Sequence, residues 1–425
     1  MSALLRLAWQ SAWNRRLTLS LTVATIALAV TMLIGVEQMR ASARDSFAES
    51  VSGTDLVVGA RTSPVQLMLY AVFRLGDATN NIRWTSFQAL AGHPAVAWSI
   101  PLSLGDSHRG FAVLGTTPAY FEHFRYGQRK PLVLAQGRPF SGDLDGLFDV
   151  VVGAEVAQRL HYQLGDRVVL THGMGGDLAG AEHADKPFTI VGILARTGTP
   201  VDRTLHVSLA AIEAIHLDWQ GGAPIRGVSI APQFARKFDL TPKQITAALI
   251  GLKSRAGAFQ MQRFVNNFEG EPLLAVLPGV ALDQLWSVIG VVEKTLLAVS
   301  ALVVVVGLGG MVAVVLASLN ERRRELAVLR SVGAGPRHIV MLLLAESVLV
   351  TVAGSLAGLA LLALLTTLGA PLLEVKFGVI VAPLHWSRQE GTLLAMVVAA
   401  GLLAGLLPAW RACRLSLADG LTPRA

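Results

Sequence analysis

The sequence has a single cysteine, Cys413, among 425 residues. One thiol excludes an intramolecular disulfide and a thiolate metal cluster, so any domain outside the membrane depends on its packed core alone. Charged residues are also scarce, at 15%, against roughly 25% in soluble domains. Together with 52% hydrophobic residues, this shortage indicates that part of the chain is solvated by lipid.

Sequence motifs of the common catalytic sites are missing as well. The sequence contains no Gly-x-Ser-x-Gly, His-Glu-x-x-His or Cys-x-x-Cys pattern, and no phosphate-binding Gly-x-x-x-x-Gly-Lys-Ser/Thr loop. Each of these patterns places a nucleophile, a metal or a phosphate cradle at a fixed spacing. We therefore predict that this chain is not an enzyme and binds no cofactor itself.

Long uncharged runs show where the lipid-solvated part lies. They cover residues 17–36, 295–320, 347–373 and 391–410. Each is close to the roughly 20 residues needed to cross a bilayer. The first run also has the position of a secretory signal peptide, but its length and the lack of a small-x-small cleavage site favour a retained span.

Lysine and arginine near the span ends predict the orientation. Arginines cluster before the first span, between the second and third spans, and after the fourth, whereas the link between spans three and four holds only Lys376 and Arg388. Both termini and the segment between spans two and three are therefore predicted to be cytoplasmic. The net charge of +7 is explained by this topology, and nucleic acid is not predicted as a partner.

The predicted fold class is an integral membrane α-helical protein with four transmembrane helices and a large mixed α/β extracytoplasmic domain between helices one and two. The predicted organisation is an interfacial amphipathic helix (1–16), span one (17–37), the extracytoplasmic domain (38–284), span two (285–319), a cytoplasmic helix and loop (320–338), span three (339–373), a short outer loop (374–390), span four (391–410) and a cytoplasmic tail (411–425).

Alternation and turn residues predict the elements of the outer domain. Strands are predicted at 55–60, 110–115, 149–153, 167–171, 188–194 and 227–230. Helices are predicted at 84–91, 154–160, 208–215 and 241–255, the last because Thr241 and Pro242 form a helix-start signal.

A glycine-rich stretch of the outer domain holds several metal-ligand residue types. His172 and His183 are the candidate metal ligands, and Met174, Asp177, Glu182 and Asp185 lie between or beside them. Histidine and carboxylate side chains bind Zn²⁺, although the spacing matches no known pattern. A solvated polar loop explains the same composition.

The cytoplasmic segment between spans two and three is predicted to form a short amphipathic helix. Leu326, Leu329 and Val332 recur at helical spacing, and Glu325 and Arg330 flank them. Gly333 is placed to end this helix, and Pro336 to begin the next. Such a helix either lies in the lipid interface or docks into a groove on a partner protein.

Small and charged residues inside the spans suggest further roles. Gly354 and Gly358, and likewise Gly401 and Gly405, form small-xxx-small patterns that permit close helix packing. Glu346 is an intramembrane carboxylate in span three. Its shallow depth favours pairing with arginines at the interface over a transport role.

The cytoplasmic segment resembles a family signature. Glu321-Arg-Arg-Arg-Glu-Leu-Ala-Val-Leu-Arg-Ser-Val-Gly-Ala334 is similar to the signature of the MacB/FtsX/LolC family of ABC transporter permeases. Weaker resemblances are found in Leu343-Leu-Ala-Glu346, in Arg411-Ala-Cys-Arg-Leu-Ser416 and in the lead-in from Leu7 to Leu17. In the outer domain, Gly137-Arg138, Val151-Val-Gly153 and Leu164-Gly-Asp166 resemble the family's periplasmic core.

The resemblance implies that the cytoplasmic segment couples to an ATPase. The residues it assigns to coupling are Glu321, Arg322, Arg323, Arg324, Glu325, Leu326, Leu329, Arg330, Gly333 and Ala334. It implies a separate ABC ATPase subunit in two copies, which binds ATP and Mg²⁺, and a second permease copy or a homologue. It also implies an inner-membrane location, contact with lipid, and a partner in the periplasm or outer membrane.

Two function classes follow from the resemblance. The first is a permease subunit that extracts or exports a lipoprotein, peptide or amphiphile by mechanotransmission. The second is an FtsX-like signalling scaffold that activates a periplasmic protein without transport, and the size of the outer domain favours the first. A metal-linked transporter that uses His172 and His183 is a third hypothesis. A membrane-anchored binding protein outside the ABC class remains if the coupling resemblance is accidental.

Overall fold

The computed structural model describes residues 16–173, 182–220, 223–225, 227–321, 328, 330, 331, 333–377 and 387–414. The α-helices are α1 (Arg16–Glu49), α2 (Pro64–Ala71), α3 (Trp84–Ala91), α4 (Ala119–His123), α5 (Ala154–Leu160), α6 (Leu209–Ile215), α7 (Pro232–Ala235), α8 (Ala258–Asn266), α9 (Pro278–Glu321), α10 (Pro336–Phe377) and α11 (Arg388–Arg414).

The strands are β1 (Leu56–Ala60), β2 (Ile82–Arg83), β3 (Val96–Leu102), β4 (Asp106–His108), β5 (Phe111–Thr116), β6 (Arg125–Tyr126), β7 (Lys130–Pro131), β8 (Leu134–Gly137), β9 (Asp149–Val152), β10 (Arg167–Val168), β11 (Thr171–His172), β12 (Phe188–Leu194), β13 (Thr204–Ser208), β14 (Trp219–Gln220), β15 (Ala223–Pro224), β16 (Gln244–Ile245), β17 (Ala247–Leu252) and β18 (Leu273–Val276). Short 3-10 turns cover Leu144–Gly146, Pro200–Arg203 and Arg255–Gly257.

The chain divides into two compact units. One comprises Met1–Ala43 with Gly290–Ala425, and the other comprises Arg44–Ile289. Among the described residues of the first unit, four helical stretches are long and apolar enough to span a membrane: Arg16–Ser42, Gly290–Ala317, Pro336–Gly369 and Arg388–Ala412. This confirms the predicted class of four spans with a mixed α/β domain between the first and second.

Two main sheets form the second unit. The first has the order β18-β1-β17-β3, and all its neighbours are antiparallel. The second has the order β10-β12-β9-β13-β5-β4-β11, with β8 also paired to β12. Its β9–β12 and β5–β13 pairs are parallel. One buried core joins Val57 and Leu249 of the first sheet to Leu114 and Val151 of the second, and burial of this shared apolar surface stabilises the domain.

Two predicted elements of this domain were wrong. The segment 241–255 is not a helix, because it contains β16 and the central strand β17. Its alanines and leucines favour a helix locally, but β17 is covered on both edges by β1 and β3, and this pairing overrides the propensity. The predicted strand at 227–230 is a turn and loop, in which the Ile230 N–H donates to the Asp218 carboxylate at 3.0 Å.

Candidate functional site

The predicted coupling segment lies between α9 and α10. Of its residues, the structure describes Glu321, Arg330, Gly333 and Ala334; Arg322, Arg323, Arg324, Glu325, Leu326 and Leu329 lie outside the described residues. The Gly333 N–H donates to the Arg330 carbonyl at 3.0 Å. The φ angle of Gly333 is 99°, a left-handed value typical of a glycine that ends a helix. Since α10 begins at Pro336, the predicted stop and restart of the helix are both found.

Gly354 and Gly358 lie on α10 where it contacts α1. A Cβ atom on Gly354 would be 2.7 Å from Cβ of Ile26, and one on Gly358 would be 2.6 Å from the Ala27 carbonyl oxygen. The Thr31 hydroxyl also donates to the Gly358 carbonyl at 2.9 Å. These two positions therefore bring the backbones of spans one and three to a distance that a larger side chain would prevent.

Gly401 and Gly405 lie on α11 and contact α10 at Thr351 and Ser347, nearer its N-terminus than Gly354 and Gly358. A Cβ atom on Gly401 would overlap the side chain of Thr351, and one on Gly405 would be 2.7 Å from Cβ of Ser347. Thr351 and Ser347 each donate a hydroxyl hydrogen bond to a carbonyl of their own helix. Glycine and small hydroxyl residues thus interlock spans three and four.

Glu346 is half-buried in the first third of α10, next to the buried Ser347. A more extensive polar group, which was not predicted from the sequence, lies around Arg40. The Arg40 guanidinium forms a two-point ion pair with buried Glu37, at 2.7 and 3.0 Å, and reaches Glu293 at 3.8 Å and the Gln389 amide oxygen at 3.3 Å. No residue of this group was predicted from the sequence, although the i, i+3 spacing of Glu37 and Arg40 is a helix-pair signal.

A second candidate site forms on the last two strands of the larger sheet. Strands β4 and β11 pair antiparallel, and this register places His172 directly opposite Asp106. His183 follows β11 along the chain, and His216 caps the C-terminus of α6. One ligand atom from each of these four side chains lies within 4.8 Å of the other three. The structure therefore brings both predicted metal ligands together; Met174 and Asp177 lie outside the described residues.

Contacts within this Asp106–His172–His183–His216 cluster are short. His172 Nδ1 is 3.1 Å from Asp106 Oδ1 and 3.1 Å from His216 Nε2. His216 Nε2 is 3.6 Å from Asp106 Oδ1. Asp106 and His183 are buried, whereas the side chains of His172 and His216 are 38% and 26% exposed, so the cluster opens to solvent on one side.

The surrounding residues hold the cluster in place. The Trp219 ring packs on His183 with a centroid distance of 4.2 Å. The His183 N–H donates to the Leu170 carbonyl at 2.9 Å. Three residues further on, Lys186 is fully buried, and its Nζ donates to both carboxylate oxygens of Asp218 at 2.8 Å. This buried ion pair anchors the turn that carries His183.

The pKa values of two cluster histidines shift in opposite directions. Burial, reinforced by His216, lowers the pKa of His183 to about 4, so its ring is neutral at neutral pH. The hydrogen bond to Asp106 raises the pKa of His172. Neutral imidazole is the form that binds a metal ion.

Asp106 and His216 were not predicted from the sequence. They are 66 and 44 residues from His172 along the chain. No local spacing links residues so far apart, and only the β4–β11 pairing and the end of α6 bring them together.

Comparison with known proteins covers nearly the whole chain. Residues 19–237, more than half of the chain, match the family model of the MacB-like periplasmic core domain. Residues 297–417 match the model of the FtsX-like permease C-terminal region.

Two curated relatives are similar over most of the chain. The macrolide export ATP-binding/permease protein MacB of Azoarcus sp. (strain BH72) is 24% identical over 407 residues, which cover 93% of this chain and 56% of the relative. The lipoprotein-releasing system transmembrane protein LolC of Neisseria meningitidis serogroup B is 23% identical over 344 residues, which cover 79% of this chain and 74% of the relative. The chain thus spans little more than half the length of the MacB relative.

Among solved structures, the periplasmic region of MacB from Actinobacillus actinomycetemcomitans aligns with 56% of this chain and 94% of its own, at 10% identity and a TM-score of 0.35. From the two family models and the four spans, the chain belongs to the MacB/LolC/FtsX-like family of ABC transporter permeases and is a multi-pass inner-membrane protein.

Proposed function

We propose that this chain is the non-catalytic permease subunit of an ABC machine in which a separate ATPase, in two copies with ATP and Mg²⁺, drives movements of the extracytoplasmic domain. A second permease copy or a homologue completes the membrane part. The work done is the extraction or export of a lipoprotein, peptide or amphiphile by mechanotransmission. Both termini and the segment 320–338 face the cytoplasm.

The observation that carries this proposal is the short segment between α9 and α10. It joins two span-length helices, ends in a left-handed Gly333, and combines arginines with an apolar stripe. Arginine side chains form charge-assisted hydrogen bonds with carboxylates, and apolar residues fill a groove. Such a segment is suited to dock on an ATPase and to pass its movement to two spans at once.

The packing of the spans supports movement of helices over passage of substrate between them. Among the described residues, the buried hydroxyls of Thr22, Ser300, Ser347 and Thr351 each bond to a carbonyl of their own helix. Small residues close the contacts of span three with spans one and four. A tightly packed helix pair slides or tilts as a unit.

The lengths of α1 and α9 also support a function based on movement of helices. Helix α1 extends to Glu49, beyond its apolar stretch Arg16–Ser42, and α9 begins at Pro278, before its apolar stretch Gly290–Ala317. A helix is a stiff rod with a rise of about 1.5 Å per residue. We infer that a displacement at the cytoplasmic ends travels along these two helices.

The test is purification of the full-length protein, with a tag that contains no histidine, from its native membrane in mild detergent. Mass spectrometry identifies the partners, and ATPase activity is measured on the eluate. Wild type is compared with the Glu325→Ala, Arg330→Ala double variant, which removes two charges of the coupling segment. We expect a separate ABC ATPase to co-purify with wild type. Loss of one charged hydrogen bond corresponds to about 1.5–3 kcal/mol, so we expect at least about tenfold less ATPase with the double variant.

The matched control is Lys376→Ala with Arg388→Ala, which removes two positive charges from the link between spans three and four. Because the proposed orientation puts this link on the other side of the membrane, we expect the control to retain the ATPase. If no ATPase accompanies wild type, or if both double variants lose it equally, the coupling role is refuted.

A further inference from the structure

We propose that the extracytoplasmic domain binds one divalent transition-metal ion, Zn²⁺ by preference, through the Asp106–His172–His183–His216 cluster. This inference goes beyond the proposed function, because mechanotransmission requires no metal in this domain. It rests on the placement of the four side chains and on the hydrogen bonds they make and lack.

The spacing of the ligand atoms fits a tetrahedral metal site. In a tetrahedral zinc site the bonds to nitrogen and oxygen are about 2.0–2.2 Å long, so the ligand atoms are ~3.3 Å apart. His172 Nδ1 is 3.1 Å from both Asp106 Oδ1 and His216 Nε2, and the latter two atoms are 3.6 Å apart. These atoms form one triangular face of the required size.

The environment of His183 also indicates a bound ion. The His183 side chain is fully buried, and neither ring nitrogen has a hydrogen-bond partner among the residues that the structure describes. A buried polar group without a partner is costly, and native proteins almost always satisfy it. His183 offers the fourth ligand atom of the cluster, so an ion bound there would satisfy it.

The tautomer of His216 is the one that a metal ligand requires. Its Nδ1 is 2.8 Å from the Ile212 carbonyl oxygen, which can only accept, so Nδ1 carries the proton. Nε2 therefore presents a lone pair to the cluster. A backbone carbonyl that orients the ligating histidine in this way is the usual support of a metal ligand.

The contacts of His172 are difficult to satisfy without a metal ion. Without a metal, a single Nδ1–H would serve two acceptors, the Asp106 carboxylate and the lone pair of His216 Nε2. With a metal, all three groups direct lone pairs at one cation. A carboxylate and three neutral imidazoles form a borderline donor set that suits Zn²⁺ better than Ca²⁺ or Mg²⁺, which prefer oxygen ligands.

The type of site follows from the number of ligands. Four protein ligands fill a tetrahedral ion and leave no position for a catalytic water. Two of the ligands, His172 and His183, flank residues 173–182, while Asp106 belongs to β4 and His216 follows α6. The ion would tie both ends of that segment to the sheet and the helix, so the site is structural or regulatory.

The test uses the full-length protein in detergent, with a tag that contains no histidine, stripped with a chelator and then freed of it. Zn²⁺ is titrated in competition with a chromophoric chelator, and bound metal is measured by mass spectrometry. Co²⁺ is added separately, because its visible absorption distinguishes tetrahedral from octahedral coordination. We expect one Zn²⁺ per chain and a tetrahedral Co²⁺ spectrum.

Two variants locate the ion. His183→Ala removes the buried ligand, and Asp106→Asn removes the charge while retaining an oxygen that accepts from His172. We expect each to weaken Zn²⁺ binding by at least about 100-fold, since even outer supports of metal ligands contribute 10–100-fold. The control is His161→Asn, which changes an exposed histidine outside the cluster. The φ of His161 is 55°, a left-handed value that asparagine tolerates.

The outcomes separate clearly. Failure of wild type to retain an ion, an octahedral Co²⁺ spectrum, or unchanged affinity in both cluster variants overturns the proposal. If His183→Ala does not fold, Asp106→Asn and the wild-type spectrum still decide. A loss of affinity in His161→Asn equal to that in the cluster variants shows binding elsewhere and also overturns it.

Discussion

We predict that protonation of His206 destabilises the extracytoplasmic domain in acid. His206 lies on β13, is fully buried, and packs against the rings of Tyr120 and Phe121. Burial, together with the nearby Arg74, lowers the pKa of His206 to about 3. In the unfolded chain the same ring has a pKa of about 6.5.

The direction in which the free energy of unfolding changes with pH follows from proton binding. Between pH 6.5 and 3 the unfolded state binds a proton at His206 that the folded state does not, so the free energy of unfolding falls as the pH falls. The loss begins near pH 6.5 and is complete once the pH reaches the folded pKa. At pH 5, where the unfolded ring is almost fully protonated and the folded ring is not, the loss amounts to about 2 kcal/mol.

The variant His206→Leu removes this effect, because an apolar side chain of similar size replaces the titrating ring. Hydrogen–deuterium exchange of peptides from β13 is measured at pH 7.5 and pH 5 in full-length protein with chelator present, after correction for intrinsic exchange. A difference of 2 kcal/mol corresponds to about 30-fold in the opening constant. We expect the wild type to lose about 30-fold more protection than the variant between the two pH values.

His108 and His183 also have lowered pKa values and remain in both proteins. The difference between wild type and variant therefore isolates His206. His161→Asn, at an exposed position, serves as control and should behave as wild type. The reasoning is refuted if His206→Leu loses as much protection on acidification as the wild type does.

Two further changes test the packing. Gly358→Ala places a methyl group against backbone that cannot rotate away, so we expect a loss of about 1–3 kcal/mol, seen as a lower unfolding temperature in detergent. Gly309→Ala is the matched control, because the added methyl meets no atom of the described residues within 4 Å. Equal effects of the two variants would contradict the close contact at Gly358. Asp218→Asn leaves buried Lys186 with only the half-exposed Asp185 carboxylate. We therefore expect the free energy of unfolding to fall by about 2 kcal/mol or more, measured by thermal unfolding. Asp145→Asn, at a fully exposed position, is the control and should have no measurable effect.

Local sequence patterns determined much of the architecture. The four spans follow from uninterrupted apolar runs, because lipid accepts only helices whose backbone groups are satisfied internally. Helices Trp84–Ala91 and Ala154–Leu160 and strand Phe188–Leu194 were predicted with the bounds that the structure shows. In each of them the spacing of apolar residues and the flanking turn signals agree with the tertiary environment.

The tertiary structure decided what depends on distant residues. β17 is a strand because β1 and β3 pair with both its edges, although its own composition favours a helix. The partners of the glycines in α10 follow from the packing of three helices. The metal-ligand cluster is the sharpest case. The sequence identified His172 and His183 by their proximity in one segment, whereas Asp106 and His216 join them only because β4 pairs with β11 and α6 ends beside that pair. Local patterns carry the periodicity of single elements, and contacts across tens of residues exist only once the sheet has formed.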